Sequence, residues 1–406
     1  MLYRHHHCLS QEFVCCTVVK VQKKILERNA FGLYVHAPFC SSTCDFCAFY
    51  QEKPRKNSVK TFLEGLTTEW SLVSKPPVPD TIFVGGGTPG ALQESDFARF
   101  FDILRELAGD RFVEWSVELA PAETTPAKLR VLRESGVTRV SLGVQSFQPS
   151  MLQALGRRHP PDQARRAFDW MREAGFDNLN LDLIFCIPGQ ELSDWRLDLE
   201  TAVSWEPDHL STYCLIHEEK AALFAQVKTG EIGPDPEREE KFYLYTWEFL
   251  KEAGFEQYEV ANFARSGKRC RHNWNVWRMN EWIGLGPSAA SQWQGERWSN
   301  VASLQAWSDA LSLGCLTRKD VVSLGPLELA EDYLLFGLRL NEGIGLRKVA
   351  ELCPEADLEP LRLFFHQLGE EGLTEARGDG FRVTDRGRLL VDRIGSEVAH
   401  RFASVA

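Results

Sequence analysis

The sequence predicts an α/β protein: a partial, TIM-like (β/α)6 barrel joined to a small α+β, winged-helix-like C-terminal domain. Three observations predict it. From residue 31 onward, short β-rich runs alternate with longer amphipathic helical patterns, the signature of βα units around a parallel sheet. Six such pairs can be counted, not the eight of a closed barrel. Beyond Trp277 the pattern changes to a Trp-rich stretch and then to short helical segments, with a hairpin signal over residues 373–383.

The six strand candidates are residues 32–37, 81–84, 113–119, 139–144, 179–185 and 209–216. Between them, segments such as 59–72 and 95–107 repeat apolar residues at three and four positions, which places one apolar stripe on a helix to cover one sheet face. The sixth strand leads into an acidic, proline-containing stretch at 231–240 and a helical pattern at 241–253. A glycine-rich run at 284–287 and then Trp293, Trp298 and Trp307 follow, and a helix is expected over 328–340. The chain is expected to divide into a poorly ordered N-terminal extension (1–30), the barrel (31–235), a connecting region (236–320) and the C-terminal domain (321–406).

Composition narrows the function. At 406 residues the chain is long enough for two or three domains without disulfide staples. A net charge of −11 argues against nucleic acid as a partner, and a winged-helix-like domain in so acidic a chain reads as a substrate lid or partner surface. No apolar run reaches the length of a membrane span. Cysteines number 11, an odd count, and Cys8, Cys15, Cys16, Cys186, Cys214, Cys270, Cys315 and Cys353 follow no framework spacing, so a reducing compartment, the cytoplasm, is expected. The apolar stretch at 13–19 is broken by two cysteines and lacks a small-residue processing site, unlike a secretory signal.

Barrel chemistry gathers at the carboxyl ends of the strands, and the chemistry-bearing residues lie there. Cys40, Cys44 and Cys47, spaced C-x3-C-x2-C, follow the first strand; Gly85-Gly86-Gly87-Thr88-Pro89 follows the second. Glu118 lies late in the third strand, Gln145 ends the fourth, and Asp182 lies in the fifth. Each alone is an ordinary loop or strand polar residue. Three thiolates on one short loop are different: a structural zinc site wants four protein ligands, whereas an iron–sulfur cluster held by three cysteines keeps one iron open to an outside ligand.

This spacing, with Phe46 just before the last cysteine, resembles that of the radical S-adenosylmethionine (SAM) superfamily. The resemblance implies a radical SAM barrel and a [4Fe–4S] cluster whose open iron is chelated by SAM, with one-electron reduction by a low-potential electron donor. It also implies that Gly86, Gly87 and Thr88 hold the methionyl amino group, that Glu118, Gln145, Arg157 and Asp182 line the cofactor, and that Tyr34 is an aromatic contact beside the cluster. Longer phrases resemble the anaerobic coproporphyrinogen oxidase group: Tyr34 to Cys40, Ser141 to Phe147, Leu155 to His159, and Asp182 to Ile184. This likeness runs from Tyr34 to the C-terminus.

Two branches share that scaffold, the porphyrinogen oxidases and the heme chaperones of HemW type. Where the oxidases carry a further cysteine two places after the third, this chain has Phe49, and residues 1–30 hold no counterpart of their substrate-reaching N-terminal region. His272-Asn273-Trp274-Asn275-Val276-Trp277 is similar to the chaperone branch's His-Asn-x-x-Tyr-Trp, with Val276 in place of tyrosine. The chaperone resemblance implies heme binding and transfer to acceptor proteins such as respiratory enzymes, with His272 as a candidate axial ligand flanked by the Trp274 and Trp277 indoles. The alternative is an oxygen-independent coproporphyrinogen III oxidase, working in porphyrin biosynthesis by radical decarboxylation to protoporphyrinogen IX. A lone histidine beside tryptophans is also a common core residue.

Overall fold

A computed structural model describes residues 30–157, 159–230 and 232–403. The expected N-terminal extension, apart from Ala30, lies outside the described residues. The six expected strands are present as β1 (Gly32–Ala37), β2 (Thr81–Gly86), β3 (Glu114–Leu119), β4 (Arg139–Gln145), β5 (Leu179–Phe185) and β6 (His209–Cys214). They pair parallel in chain order. β2 runs two residues further than expected, because Gly85 and Gly86 continue in register with His36 and Ala37. The glycines are the end of the strand itself.

The sheet continues past these six. After the helix Pro236–Glu252 come β7 (Glu256–Gln257) and β8 (Asn262–Ala264), which extend it antiparallel beyond β6. On the other side β9 (Trp282–Leu285) pairs parallel with β1, followed by antiparallel β10 (Ala290–Trp293), β11 (Glu296–Ser299) and β12 (Lys319–Ser323). The result is one 12-stranded sheet in the order β12-β11-β10-β9-β1-β2-β3-β4-β5-β6-β8-β7. Among the described residues no pairing joins its two ends, so the barrel is partial. β12 forms one margin with every residue exposed, next to an irregularity between Arg297 and Ser299.

Strand alternation gives the sheet two unlike faces. One parity is apolar and buried: Leu33, Val35, Ile82, Val84, Trp115, Val117, Val140, Leu142, Leu181 and Leu183 pack under helices through residues such as Phe62, Leu66, Phe97 and Phe101. The other parity is polar: Tyr34, His36, Ser116, Glu118, Ser141, Gln145, Asn180, Asp182, His209 and Ser211. Parallel register sets these side by side, Glu118 with Ser141, and Asp182 with Ser211. A buried polar wall survives only when satisfied. Ser141 donates to Asp182 at 2.7 Å, and Asn180 donates to Asp182 at 2.8 Å and to Ser141 at 2.6 Å. Asn180 also accepts from His209 Nδ1 at 2.6 Å, while Ser211 donates to Asn262 at 2.8 Å.

The amino-terminal end of the barrel is closed by the short helix Arg271–Trp277. Its first backbone amides, of Arg271 and His272, donate to the Glu114 carboxylate at 2.9 and 3.0 Å. A carboxylate at a helix N-terminus satisfies orphan donors and suits the dipole. The C-terminal domain has its own apolar cluster and a three-stranded sheet, β13 (Ile344–Gly345), β14 (Thr374–Arg377) and β15 (Gly380–Val383), ordered β13-β15-β14. The expected hairpin is the β14–β15 pair.

The helix Lys56–Leu72 carries the helix Leu304–Ser312 on its back, and Gly65 makes room for Trp307. A Cβ at Gly65 would lie 2.3 Å from the indole. Gly65→Ala gains about 1 kcal/mol in helix propensity, and overpacking costs about 1–3 kcal/mol. Because the ring is fully buried, the second effect is expected to win. Urea unfolding of Gly65→Ala should show a lower midpoint at unchanged slope; a midpoint at or above the parent's would refute this.

Candidate functional site

The site is built around a loop whose root is buried core. Phe39, just before Cys40, is fully buried and meets Phe62 edge-on at 5.4 Å. Burying such a side chain contributes about 1.5–3 kcal/mol, so the cysteine loop is anchored by the same packing that holds β1. Two backbone bonds close its neck: Cys40 N to the Glu52 carbonyl at 3.0 Å, and Glu52 N to the Pro38 carbonyl at 2.6 Å. The flank is held by His36, whose Nε2 donates to the Tyr50 carbonyl at 2.9 Å while Nδ1 accepts from the Tyr34 hydroxyl at 3.1 Å. Burial lowers the His36 pKa, consistent with this neutral tautomer. The far side is tied by Asp45 N to the Leu155 carbonyl at 3.1 Å and Leu223 N to the Asp45 carbonyl at 2.8 Å.

The glycines at the end of β2 let a second backbone approach. Gly87 N donates to the Ala37 carbonyl at 2.8 Å and Thr88 N to the Phe39 carbonyl at 2.7 Å. A Cβ on Gly87 would sit 2.5 Å from the Phe39 carbonyl oxygen. Gly86 has φ +101°, and a Cβ there would enter the His36 ring at 2.5 Å. Gly85 lies against Glu118, where a Cβ would be 2.6 Å from the carboxylate. Side chains are excluded along this edge, which leaves bare backbone facing the cysteines.

Burial pushes the Cys40 thiol up to about 12, with Cys47 and Cys44 adding to the rise, and burial raises Cys44 and Cys47 as well. Such thiols need a cation to ionise. The positive charge at hand is Arg157, which lies over the Phe46 ring at 5.9 Å and opposes the rise at all three sulfurs. Among the described residues, its buried Nε has no hydrogen-bond partner. Among the described residues, no three His, Cys, Asp or Glu side chains converge on one ion. The three sulfurs are nevertheless close enough to influence one another, and a cluster binds each cysteine to a different iron, so its ligands stand apart. The donor set, the bare glycine edge and the unpartnered Arg157 Nε fit such a cluster and a polar ligand beside it.

The carboxylates lie on the polar wall behind. Burial lifts Glu118 to about 8, with Asp182 adding to the rise, and burial also raises Asp182. Gln145 ends β4 at φ +71°, an uncommon conformation for a residue with a Cβ, and turns its amide toward Gly143. The structure thus brings Tyr34, Cys40, Cys44, Phe46, Cys47, Gly86, Gly87, Thr88, Glu118, Gln145, Arg157 and Asp182 to the inner wall and carboxyl-terminal rim of the barrel.

His272 is the exception. It lies at the barrel's opposite end, 4% exposed, with Nδ1 3.0 Å from the Thr81 hydroxyl and its ring 5.4 Å from Phe83. Burial lowers it to about 3. Enclosed by the first residues of β1 and β2, the ring presents no open face to a macrocycle. It serves as part of the barrel floor. Sequence reasoning missed His36, which strand alternation from Tyr34 places on the inner wall. It missed Tyr213, 42% exposed on the parity of Ser211. It also passed over His159, which burial and Arg157 together lower to about 4.

The chain is similar to known proteins along most of its length. The Radical SAM superfamily pattern matches residues 34–202, and that of the HemN C-terminal domain matches residues 324–390. The heme chaperone HemW of Bacillus subtilis is 31% identical over 375 residues, covering 91% of this chain and 98% of that protein. The heme chaperone HemW of Mycobacterium tuberculosis is 34% identical over 374 residues, with 90% and 93% coverage. In fold the chain is similar to the coproporphyrinogen III oxidase HemN of Escherichia coli, with TM-score 0.78, 24% identity, and 92% and 90% coverage.

The raised Glu118 pKa makes stability depend on pH. The folded chain keeps this proton up to about 8, whereas a free carboxyl loses it near its ordinary 4.5. The group's contribution is therefore fully present in acid and is lost as pH rises through that window. Glu118→Gln, which cannot ionise, should gain stability relative to the parent between pH 5 and 8 in thermal melts of cluster-free protein. A pH-independent difference would show that Glu118 does not titrate there.

Proposed function

The chain belongs to the HemW family of radical SAM proteins, and we propose that it is a heme chaperone that binds a [4Fe–4S] cluster, SAM and heme and passes heme to acceptor proteins such as respiratory enzymes. The observation that carries this reading is identity along almost the full length of a HemW, in a chain whose three-cysteine loop is pinned against a bare glycine edge. Phe49 supports it, being 67% exposed at the place where the oxidase branch has a further cysteine.

Cys40, Cys44 and Cys47 would hold the cluster. Its open iron would supply a site for SAM and a route for one electron from a low-potential donor. Gly86, Gly87 and Thr88 would present backbone to the methionyl amino group, and Arg157 would balance negative charge beside the sulfurs. Glu118 and Asp182 are poised to accept hydrogen bonds from ribose hydroxyls or an ammonium group, and a cation brought next to Glu118 would draw its proton off. Gln145 offers an amide and Tyr34 a ring beside the loop. Heme contact is not placed on His272, whose ring is enclosed by the floor of the barrel. Among the described residues, no helix is long and apolar enough to cross a membrane. We place the protein in the cytoplasm on its unpatterned cysteines.

Two measurements test the reading. Anaerobically reconstituted protein titrated with heme, with and without SAM, should develop a saturable heme absorbance band. Absence of the band would overturn the chaperone reading, and turnover of coproporphyrinogen III to protoporphyrinogen IX would replace it with the oxidase. Replacing Cys40, Cys44 or Cys47 by alanine should abolish cluster absorbance and iron retention, whereas Cys353→Ala should leave both intact. A cluster that survives loss of Cys44 would contradict the ligand assignment.

A further inference from the structure

Two cysteines outside the cluster loop meet at the barrel rim. Cys214 ends β6 opposite Phe185, and Cys186 is the residue that follows Phe185, so neighbouring strands deliver both to one place. Both are free, and both side chains pack in the same apolar core. Cys186 sits at φ +60°, an uncommon conformation for a residue with a Cβ, at the start of the turn leaving β5. Two side chains hold that turn: Gln190 Oε1 accepts from Ile187 N at 3.2 Å, and Arg238 caps its carbonyls. Arg238 donates to the carbonyls of Cys186 at 3.4 Å, Ile187 at 3.0 Å and Gln190 at 2.7 Å. The neighbouring Cys214 thiol lowers the Cys186 pKa, burial opposes that, and the Arg238 charge lowers it further. A sulfur so placed is the nucleophile of the pair.

The pair is also connected to the cluster loop. Ile187 and Leu215, which directly follow the two cysteines, belong to a small apolar cluster with Met151, Leu155 and Leu223, and Phe46 packs against it. Phe46 lies between Cys44 and Cys47. Any change at the dithiol is therefore adjacent to the packing beneath the cluster ligands.

We propose that Cys186 and Cys214 form a dithiol modification site that closes to a disulfide on reaction with hydrogen peroxide. The Cys186 thiolate attacks one peroxide oxygen and the O–O bond breaks. The departing hydroxide takes up the proton that Cys186 gave up and leaves as water, and the sulfur remains as a sulfenic acid. The Cys214 sulfur then attacks the Cys186 sulfur, the S–O bond breaks, and that hydroxide leaves as a second water with the Cys214 proton. Two thiols lose two electrons and one peroxide gains them. Peroxide is small enough to reach a residue 8% exposed, and the strands already hold the partner sulfur adjacent, so the sulfenic acid is resolved in place.

The test uses the full-length, cluster-loaded protein, exposed briefly to peroxide, blocked with N-ethylmaleimide and digested with trypsin without reduction. Cleavage after Arg172, Arg196 and Lys220 puts Cys186 and Cys214 in separate peptides with one cysteine each. The expected result is a linked pair lighter by two hydrogens than the sum, carrying no maleimide and separated by dithiothreitol. In Cys214→Ser, Cys186 should instead be trapped by dimedone as the sulfenic acid. Recovery of both peptides fully maleimide-labelled while exposed Cys315 is oxidised would overturn the proposal. So would linkage of Cys186 to Cys40, Cys44 or Cys47, or absence of dimedone labelling in the variant. None of these readouts depends on heme binding.

Discussion

Everything at the site depends on how closely two stretches of backbone approach, the residues leaving β1 and the glycines ending β2. The amides of Gly87 and Thr88 reach carbonyls on either side of Pro38, and a single Cβ on Gly87 would strike one of them. The same contact fixes where the cysteine loop starts, which way it leaves the sheet, and how much bare main chain faces it. Phe39 then ties this junction to the core, so the loop inherits the rigidity of the barrel. The lower bonds, at Tyr50, Asp45 and Glu52, only complete what that approach begins.

The two faces of the sheet divide the work. The outer face is close-packed apolar surface that supplies the driving force for folding. The inner face is a chain of serines, asparagines, carboxylates and histidines that satisfy one another, and this restricts each to one orientation. That same enclosure raises Glu118 and Asp182 and lowers His209. Arg157 stands apart, carrying its charge among three reluctant thiols.

Much of this was legible in the sequence, for identifiable reasons. β1 to β6 alternate over six or seven residues, long enough for the period to register. β7 and β8 have two and three residues, too few to carry any period, so the widening of the sheet beyond β6 was not readable. Gly85 and Gly86 read as a loop because glycine has no strand propensity, although partners on β1 hold them in register. The cysteines were legible because their spacing is itself the chemistry. His272 was legible as a motif but not in depth: nothing in the order of residues told that Glu114 and Thr81 would draw that helix into the floor. His36 and Tyr213 were available from alternation alone.

An unclosed sheet leaves a margin. Among the described residues β12 ends the strand order, with Val321 and Val322 exposed on it. Such a ribbon is normally an invitation to strand addition and amyloid-like stacking. Here Lys319 and Asp320 put opposite charges at its start, and the slipped register against β11 bends it out of flatness. A foreign strand would have to match a crooked template and desolvate two ions, so the cavity can stay open on one side without making the protein adhesive.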